Sequence, residues 1–157
     1  MEDNKSLKFI ADCHLGKLAK YLRLLGFDTL YYSQIDDDDL IDKANKEHRI
    51  IISRDKELCE RKIAVTLLLD NIQLRDQLQE IIKAFKLKSF PKKLTRCLIC
   101  NEILVAIDKE RIGKRIPTKY LHQFHDFTLC PKCDKIYWHG SHYKRMVEFV
   151  NKLVQEL

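Results

Sequence analysis

Hydrophobic residues in the first half of the chain form short apolar runs that alternate with helically spaced stripes. The runs are LKFIAD (7–12), FDTLYYS (27–33), RIIISRD (49–55) and AVTLLLD (64–70), each of a length typical of a strand. Between them, apolar residues recur every three or four positions, as they do on one face of an amphipathic helix. Four alternations of strand and helix predict an α/β fold with a parallel sheet flanked by helices.

Local signals predict where these helices begin and end. Gly26 ends a first helix whose apolar stripe comprises Leu15, Leu18, Ala19, Leu22 and Leu25. Asp36 is placed to cap a second helix that continues to about Glu47. KELCERK, from residue 56, is expected to form one or two helical turns, and a longer helix covers residues 73–85. Arg23 falls on the polar side of the first helix, where it would be solvated or face a phosphate.

The pattern changes at KLKSFPKKLTR (86–96), where lysines, Ser89 and Pro91 interrupt the helical spacing. We therefore predict two domains, residues 1–90 and residues 91–157. The second part contains a short β-like run, ILVAID (103–108), and a final helix that begins at Ser141.

Four of the six cysteines form two C-x-x-C pairs, Cys97 with Cys100 and Cys130 with Cys133, separated by 29 residues. Each pair can present two thiolates from one tight turn, so the four predict a closed Cys₄ site for structural zinc. Iron in the same cage, two disulfides and redox-active pairs are the alternatives. Cys13 and Cys59 are interpreted as small buried hydrophobic residues.

Aspartates follow the predicted strands. Asp12, Asp55 and Asp70 each come directly after one, while Asp37 begins the helix after the second strand. The carboxyl ends of parallel strands share one edge of the sheet, so we expect these side chains to converge there. Carboxylates gathered in this way favour a Mg²⁺ or Mn²⁺ ion, although aspartate is also common in turns. Asp70 has a further alternative, because it could simply end its strand or cap the following helix.

Composition narrows the class of protein. With 45% hydrophobic and 33% charged residues, the chain is expected to be globular. No apolar run approaches the ~20 residues that span a bilayer, and the amino terminus lacks a signal-peptide core, which predicts a cytoplasmic protein without a membrane partner.

Positive charge is concentrated in residues 81–120, which hold eleven Lys/Arg against three acidic residues within a net charge of +6. Such a surface would neutralise phosphates, and nearby aromatic residues could stack on unpaired bases. The predicted RNA contacts are Arg54, Arg96, Lys114, Arg115, Trp138, His142 and Arg145. Trp138 could instead pack the part of the chain that carries the cysteine pairs against the last helix, and Arg54 could be merely exposed or salt-bridged.

Four segments resemble one known family. They are DCHLGKLAKYLRLLGFD (12–28), DDDL (37–40), SRD (53–55) and YWHGSHYKRM (137–146), together with the paired cysteines. They are similar to motifs of the PIN-like ribonuclease family named after the C-terminal RNase domain of the Mut-seven exonuclease. The resemblance covers nearly the whole chain.

The resemblance implies a PIN-like fold with metal-dependent ribonuclease activity, fused to a zinc ribbon. Asp12, Asp37 and Asp55 match the family's acidic metal-binding positions. Such nucleases usually carry four acidic residues, and Asp70 is the positional candidate for the fourth.

The leading hypothesis is therefore a metal-dependent, endonucleolytic ribonuclease that acts on RNA. The runner-up is a non-catalytic RNA-binding or ribosome-associated zinc-ribbon module whose acidic residues are structural. A phosphatase or receiver-like domain is disfavoured, because no D-x-D pair follows the first strand. A homodimer and a regulatory protein partner both stay open.

Overall fold

A computed structural model describes residues 6–157. Its larger part is a four-stranded parallel sheet with the strand order β2-β1-β3-β4. The strands are β1 (Lys8–Ala11), β2 (Asp28–Tyr31), β3 (Ile50–Ser53) and β4 (Thr66–Leu68). The predicted fold class is confirmed, and each strand lies inside the apolar run that predicted it.

Helices cover both faces of this sheet. They are α1 (Gly16–Leu24), α2 (Asp37–Lys46), α3 (Lys56–Glu60) and α4 (Leu74–Ala84). Phe9 and Ala11 of β1 are buried with residues of α1 and α4, whereas Ile10 is buried with residues of α2 and α3. This alternation follows from the two-residue period of a strand, which places successive side chains on opposite faces.

The connections reverse direction between β1 and β3. The chain goes from β1 through α1 to β2, and then through α2 past β1 to β3. Because α1 and α3 lie on opposite faces, the loops that follow β1 and β3 lead away from each other, which is the arrangement that forms a ligand crevice at the carboxyl edge of open parallel sheets. The side chain of Asp36 accepts a hydrogen bond from the Asp39 N–H (2.9 Å), which confirms its predicted role as the α2 cap.

The second part is built on a three-stranded antiparallel sheet of β5 (Val105–Ala106), β6 (Thr128–Leu129) and β7 (Ile136–Tyr137). Between the cysteine pairs lie α5 (Lys109–Ile112), a 3₁₀ turn at Gly113–Arg115 and α6 (Thr118–Gln123). The sequence did not predict these helical turns, because segments of three to six residues are too short to show a helical stripe.

The last helix, α7 (Ser141–Gln155), begins where it was predicted and connects the two parts. Met146 packs against the cysteine region, while Val150 and Leu153 are buried in the core of the parallel sheet. The Phe149 ring meets Tyr21 of α1 edge to face, with ring centroids 5.5 Å apart. The domain boundary after residue 90 stays a prediction, since α7 contributes to both cores. No helix of residues 6–157 has the length and apolar character needed to cross a membrane.

Candidate active site and metal centre

Asp12 directly follows β1, and its carboxylate is held by the neighbouring strand. Its Oδ2 accepts a hydrogen bond from the Ser53 hydroxyl (2.7 Å), and its Oδ1 accepts one from the Cys13 N–H (2.7 Å). The Asp12 N–H in turn donates to the carbonyl of Ile52 (3.0 Å). Each carboxylate oxygen keeps a further lone pair for a ligand.

Asp55 is connected to Asp12 through the same serine. The Asp55 N–H donates to Ser53 Oγ (2.9 Å), and the Asp55 carboxylate caps α3 by accepting from the Leu58 N–H (3.2 Å). Ser53 is fully buried, and its hydroxyl is directed by the bond that it donates to Asp12 and the bond that it accepts from the Asp55 N–H. The sequence analysis assigned no role to Ser53, although it is the first residue of the SRD segment (53–55) that resembles the family motif, and this signal could have found it.

Asp37 reaches the same region from the first turn of α2, where it is exposed. The charges of the three carboxylates affect the pKa values of two half-buried thiols nearby. Burial raises the pKa of the Cys13 thiol, and the charges of Asp12 and Asp37 raise it further. Burial also raises the pKa of the Cys59 thiol, with added contributions from Asp55 and Asp12. Cys13 and Cys59 are therefore neutral neighbours of the acidic edge.

Asp70 lies at the margin of this edge, beyond the outer strand β4. It is exposed, and its N–H donates to Glu80 Oε2 (2.9 Å), while the Asn71 N–H donates to Glu80 Oε1 (3.0 Å). Asp70 does not cap α4, whose N-cap is Gln73, so that alternative is wrong. Its catalytic role stays a prediction.

Among residues 6–157, the side chains that gather most closely as metal ligands are the four predicted cysteines. The sulfurs of Cys97, Cys100, Cys130 and Cys133 all lie within 4.8 Å of one another. Cys100 Sγ and Cys130 Sγ are 3.5 Å apart. A tetrahedral zinc site with bonds near 2.3 Å places its sulfurs about 3.8 Å apart, so the cluster can hold a metal ion such as zinc. The aspartates share an edge but do not form a comparably tight group.

The two cysteine turns have matching backbone geometry. The Asn101 N–H donates to the Cys97 carbonyl (2.9 Å), and the Asp134 N–H donates to the Cys130 carbonyl (2.8 Å). Asn101 and Asp134 have φ angles of 72° and 61°, in the left-handed region. Asparagine and aspartate tolerate that region better than other non-glycine residues, so each turn has a suitable residue at its tightest point.

The Tyr137 hydroxyl lies beside the Cys97 thiol and lowers its pKa. This hydroxyl lies 3.2 Å from Cys97 Sγ and accepts a hydrogen bond from the Leu98 N–H (3.1 Å). Burial alone would raise the pKa of Cys97, but hydrogen bonds from Tyr137 and from backbone N–H groups lower it to about 7. Because the thiolate is the metal-binding form, this shift favours metal binding at neutral pH.

The part of the chain that carries both cysteine pairs, called the cysteine module or ribbon, is attached to the amino end of the parallel sheet, opposite the acidic edge. Arg23 of α1 is 4% exposed and donates hydrogen bonds to the carbonyls of Thr29 (2.8 Å), Leu98 (3.0 Å) and Ile99 (2.9 Å). The sequence-based interpretation of Arg23 as solvated or phosphate-facing is wrong. The first cysteine turn covers it, and helical spacing does not reveal that contact.

Asp28 completes this attachment. Its carboxylate pairs with Arg49 (2.7 Å) and accepts from the Asn101 amide (2.7 Å), whose own oxygen accepts from the Thr29 N–H (2.9 Å). Burial would raise the pKa of Asp28, but Arg49 and Asn101 together lower it below its usual value. Arg96 donates to the Asn101 carbonyl (3.1 Å) and lies 3.7 Å from Asp28, so this predicted RNA contact already has partners within the fold.

The other predicted RNA contacts differ in exposure. Arg54, Lys114, His142 and Arg145 are exposed, and Arg115 is exposed beside Asp134 (3.1 Å). Trp138 packs within the ribbon, with its ring 5.6 Å from Tyr120 and 6.1 Å from Phe127. It is only half-buried, so it both packs the ribbon and retains an accessible surface.

The fold and the site define a class of protein in which a parallel α/β domain with acidic residues at its carboxyl edge is joined to a four-cysteine ribbon. Within that class, the chain belongs to the Mut7-C RNAse domain family, whose model matches residues 7–150. The family suggested by the sequence motifs is thereby confirmed, and this membership points to a nuclease- or RNA-related role. Searches of curated proteins and of solved structures found no match.

Proposed function

We propose that this protein is a metal-dependent ribonuclease that cleaves RNA phosphodiester bonds at the carboxyl edge of its parallel sheet. The observation that carries the proposal is the hydrogen-bonded sequence Asp12–Ser53–Asp55, which joins the carboxyl ends of β1 and β3. In open parallel sheets, ligands bind outside such strand ends, at the point where the connections reverse direction. The family supports RNA as the substrate.

Asp12, Asp37 and Asp55 would hold a Mg²⁺ or Mn²⁺ ion, because hard cations favour carboxylate oxygens. Such an ion, when bound, activates a water molecule and neutralises charge on the phosphate. Ser53 keeps Asp12 directed at the crevice, and the α3 cap does the same for Asp55. Asp70, one strand further along the edge, is our candidate for a fourth acidic residue.

The cysteine cluster would hold structural zinc. Four thiolates leave no open position on the ion, so its role is to fold the ribbon rather than to catalyse. The ribbon would then present Lys114, Arg115 and Arg145 to the RNA backbone, while Arg54 would contact RNA beside Asp55.

The test compares Asp12→Asn and Asp55→Asn with the wild type on labelled single-stranded and structured RNA in the presence of Mn²⁺. We expect at least ~100-fold slower cleavage, because even residues that only support metal ligands contribute about 10–100-fold. Asp126→Asn, which changes an exposed aspartate of the ribbon, is the matched control and should cleave normally. Cleavage that persists unchanged in both active-site variants would show that the active site lies elsewhere.

A non-catalytic RNA-binding module is the second candidate function. It is favoured by the exposed basic residues of the ribbon and by acidic side chains that do not form a tight ligand cluster. The same experiment separates the two candidates if Mn²⁺ is withheld rather than chelated, since a chelator could also remove the ribbon's metal. RNA binding without cleavage under any metal condition would support this second candidate.

A further inference from the structure

A cavity of about 480 Å³ opens between α1, the cysteine module, α6 and the beginning of α7. Five aromatic rings contribute to its wall, from Tyr120, Phe124, Tyr137, Trp138 and Tyr143. None belongs to the proposed active site. Its volume lies in the range of small-molecule sites, about 300–1,000 Å³, so it can admit a planar ring.

The remaining lining favours an anion. Lys20 and Lys135 line the cavity together with His142, and none of its lining residues, all within 6–157, is acidic. Gln123 and Ser141 add neutral hydrogen-bonding groups. Aromatic faces beside cations, without a carboxylate, suit a ligand that combines a planar ring with a phosphate.

We infer that this cavity binds one unpaired nucleotide of a single-stranded RNA, with its base against the aromatic wall and its phosphates near the lysines. Base stacking on aromatic side chains is available only to an unpaired base, because pairing keeps the bases of a duplex within its stack. The inference rests on the proposed function in taking RNA as the ligand.

The cavity lies at the opposite end of α1 from the acidic edge. Asp12 precedes α1, whereas the cavity is lined by Lys20, the central residue of α1, and by Leu24, its last residue. The nine residues of α1 span roughly 13 Å. Lys17, exposed and three residues before Lys20, lies on the same helix face and can contact the backbone between the two sites. The cavity would therefore anchor RNA several nucleotides away from the bond that is cut.

Trp138 is the only tryptophan of the chain and lines the cavity, so its fluorescence reports occupancy directly. The full-length protein, without added Mg²⁺ or Mn²⁺, is titrated with a short oligoadenylate, with its duplex, and with an abasic strand of equal length. Gln123→Phe narrows the cavity from an exposed position, and Gln155→Phe at the far end of α7 is the matched control.

We expect only the intact single strand to quench Trp138. Gln123→Phe should bind it about 5- to 150-fold more weakly, the range that corresponds to one stacked base, while Gln155→Phe binds normally. Equal quenching by the duplex or by the abasic strand would overturn the inference. Unchanged affinity in Gln123→Phe would do the same, even if the wild type cleaves RNA. If nothing is cleaved but the selective quenching persists, the cavity inference stands and the proposed function fails.

Discussion

The polar side chains at the two ends of the parallel sheet differ in burial and in hydrogen-bond pairing. At the amino end, Arg23, Arg49 and Asn101 are buried, and each donates to fixed oxygen acceptors. At the carboxyl end, Asp37 and Asp55 are exposed, and their carboxylates retain unused lone pairs. No buried side-chain nitrogen or oxygen in residues 6–157 lacks a hydrogen-bond partner.

Because of this difference, the polar groups at one end mainly stabilise the fold, whereas those at the other end are available for a reaction. Buried polar groups that are fully paired stabilise one arrangement, and removing either partner leaves the other unsatisfied at high cost. The exposed carboxylates contribute less to stability, chiefly through the α3 cap made by Asp55, and their remaining lone pairs are free to bind a cation. The amino end therefore attaches the ribbon, and the carboxyl end is available for a reaction.

The largest expected effect comes from removing the ribbon's metal. Cys97→Ser should lose zinc and unfold the ribbon, because structural zinc contributes about 10–16 kcal/mol of apparent binding free energy in small modules. Elemental analysis and thermal unfolding measure the two losses. Cys59→Ser, which removes a half-buried thiol outside the cluster, is the control and should retain the metal. Well-folded wild-type protein without bound metal would contradict the Cys₄ assignment.

An intermediate effect distinguishes aspartates at the two ends. Asp28→Asn should lower the free energy of unfolding by about 2 kcal/mol, because the Arg49 guanidinium loses its more buried charged partner at the ribbon attachment and retains only Glu47 (2.7 Å). Asp12→Asn should lower it by less than ~1 kcal/mol, since its carboxylate makes only two hydrogen bonds at the edge. Denaturant titration of both variants measures these values, and equal losses would remove the distinction between the two ends.

Asp28 also predicts a pH dependence. Its pKa in the folded protein is lower than its ordinary value of 3.8, so the ionised form is favoured by folding. That contribution is present above pH 3.8 and is lost as the pH falls through the lower folded value. The stability difference between wild type and Asp28→Asn should therefore shrink in this acidic range; a constant difference would contradict the ion-pair account.

The smallest expected effect is on RNA affinity. Reversing Lys114 and Arg115 to glutamate should flatten the logarithmic salt dependence of RNA binding by about 1.4, near 0.7 for each lost phosphate contact. The cleavage rate at saturating RNA should not change, because both residues lie on the ribbon. Reversal of Lys46 and Lys62, exposed on the other part of the molecule, controls for net charge. An unchanged salt dependence would exclude Lys114 and Arg115 from the RNA contact.

Features that depend on nearby residues were predictable from the sequence. The strands and longer helices followed from apolar spacing, the α2 cap from Asp36, and the metal cluster from two C-x-x-C pairs. Asp12 and Asp55 could be placed at one edge because strand ends in a parallel sheet share a side. In each case a local pattern was enough, since short-range geometry determines which side chains share a turn, a face or an edge.

Tertiary structure alone decided what covers each of these elements. The helical stripe placed Arg23 toward solvent, but the first cysteine turn, some 75 residues later in the chain, buries it. Ser53 joins Asp12 to Asp55 only because β1 and β3 are neighbours. The ribbon's position at the amino end depends on Asp28 and Asn101, which are 73 residues apart. Such contacts leave no periodic trace in the sequence, because they arise between surfaces that meet only when the chain is folded.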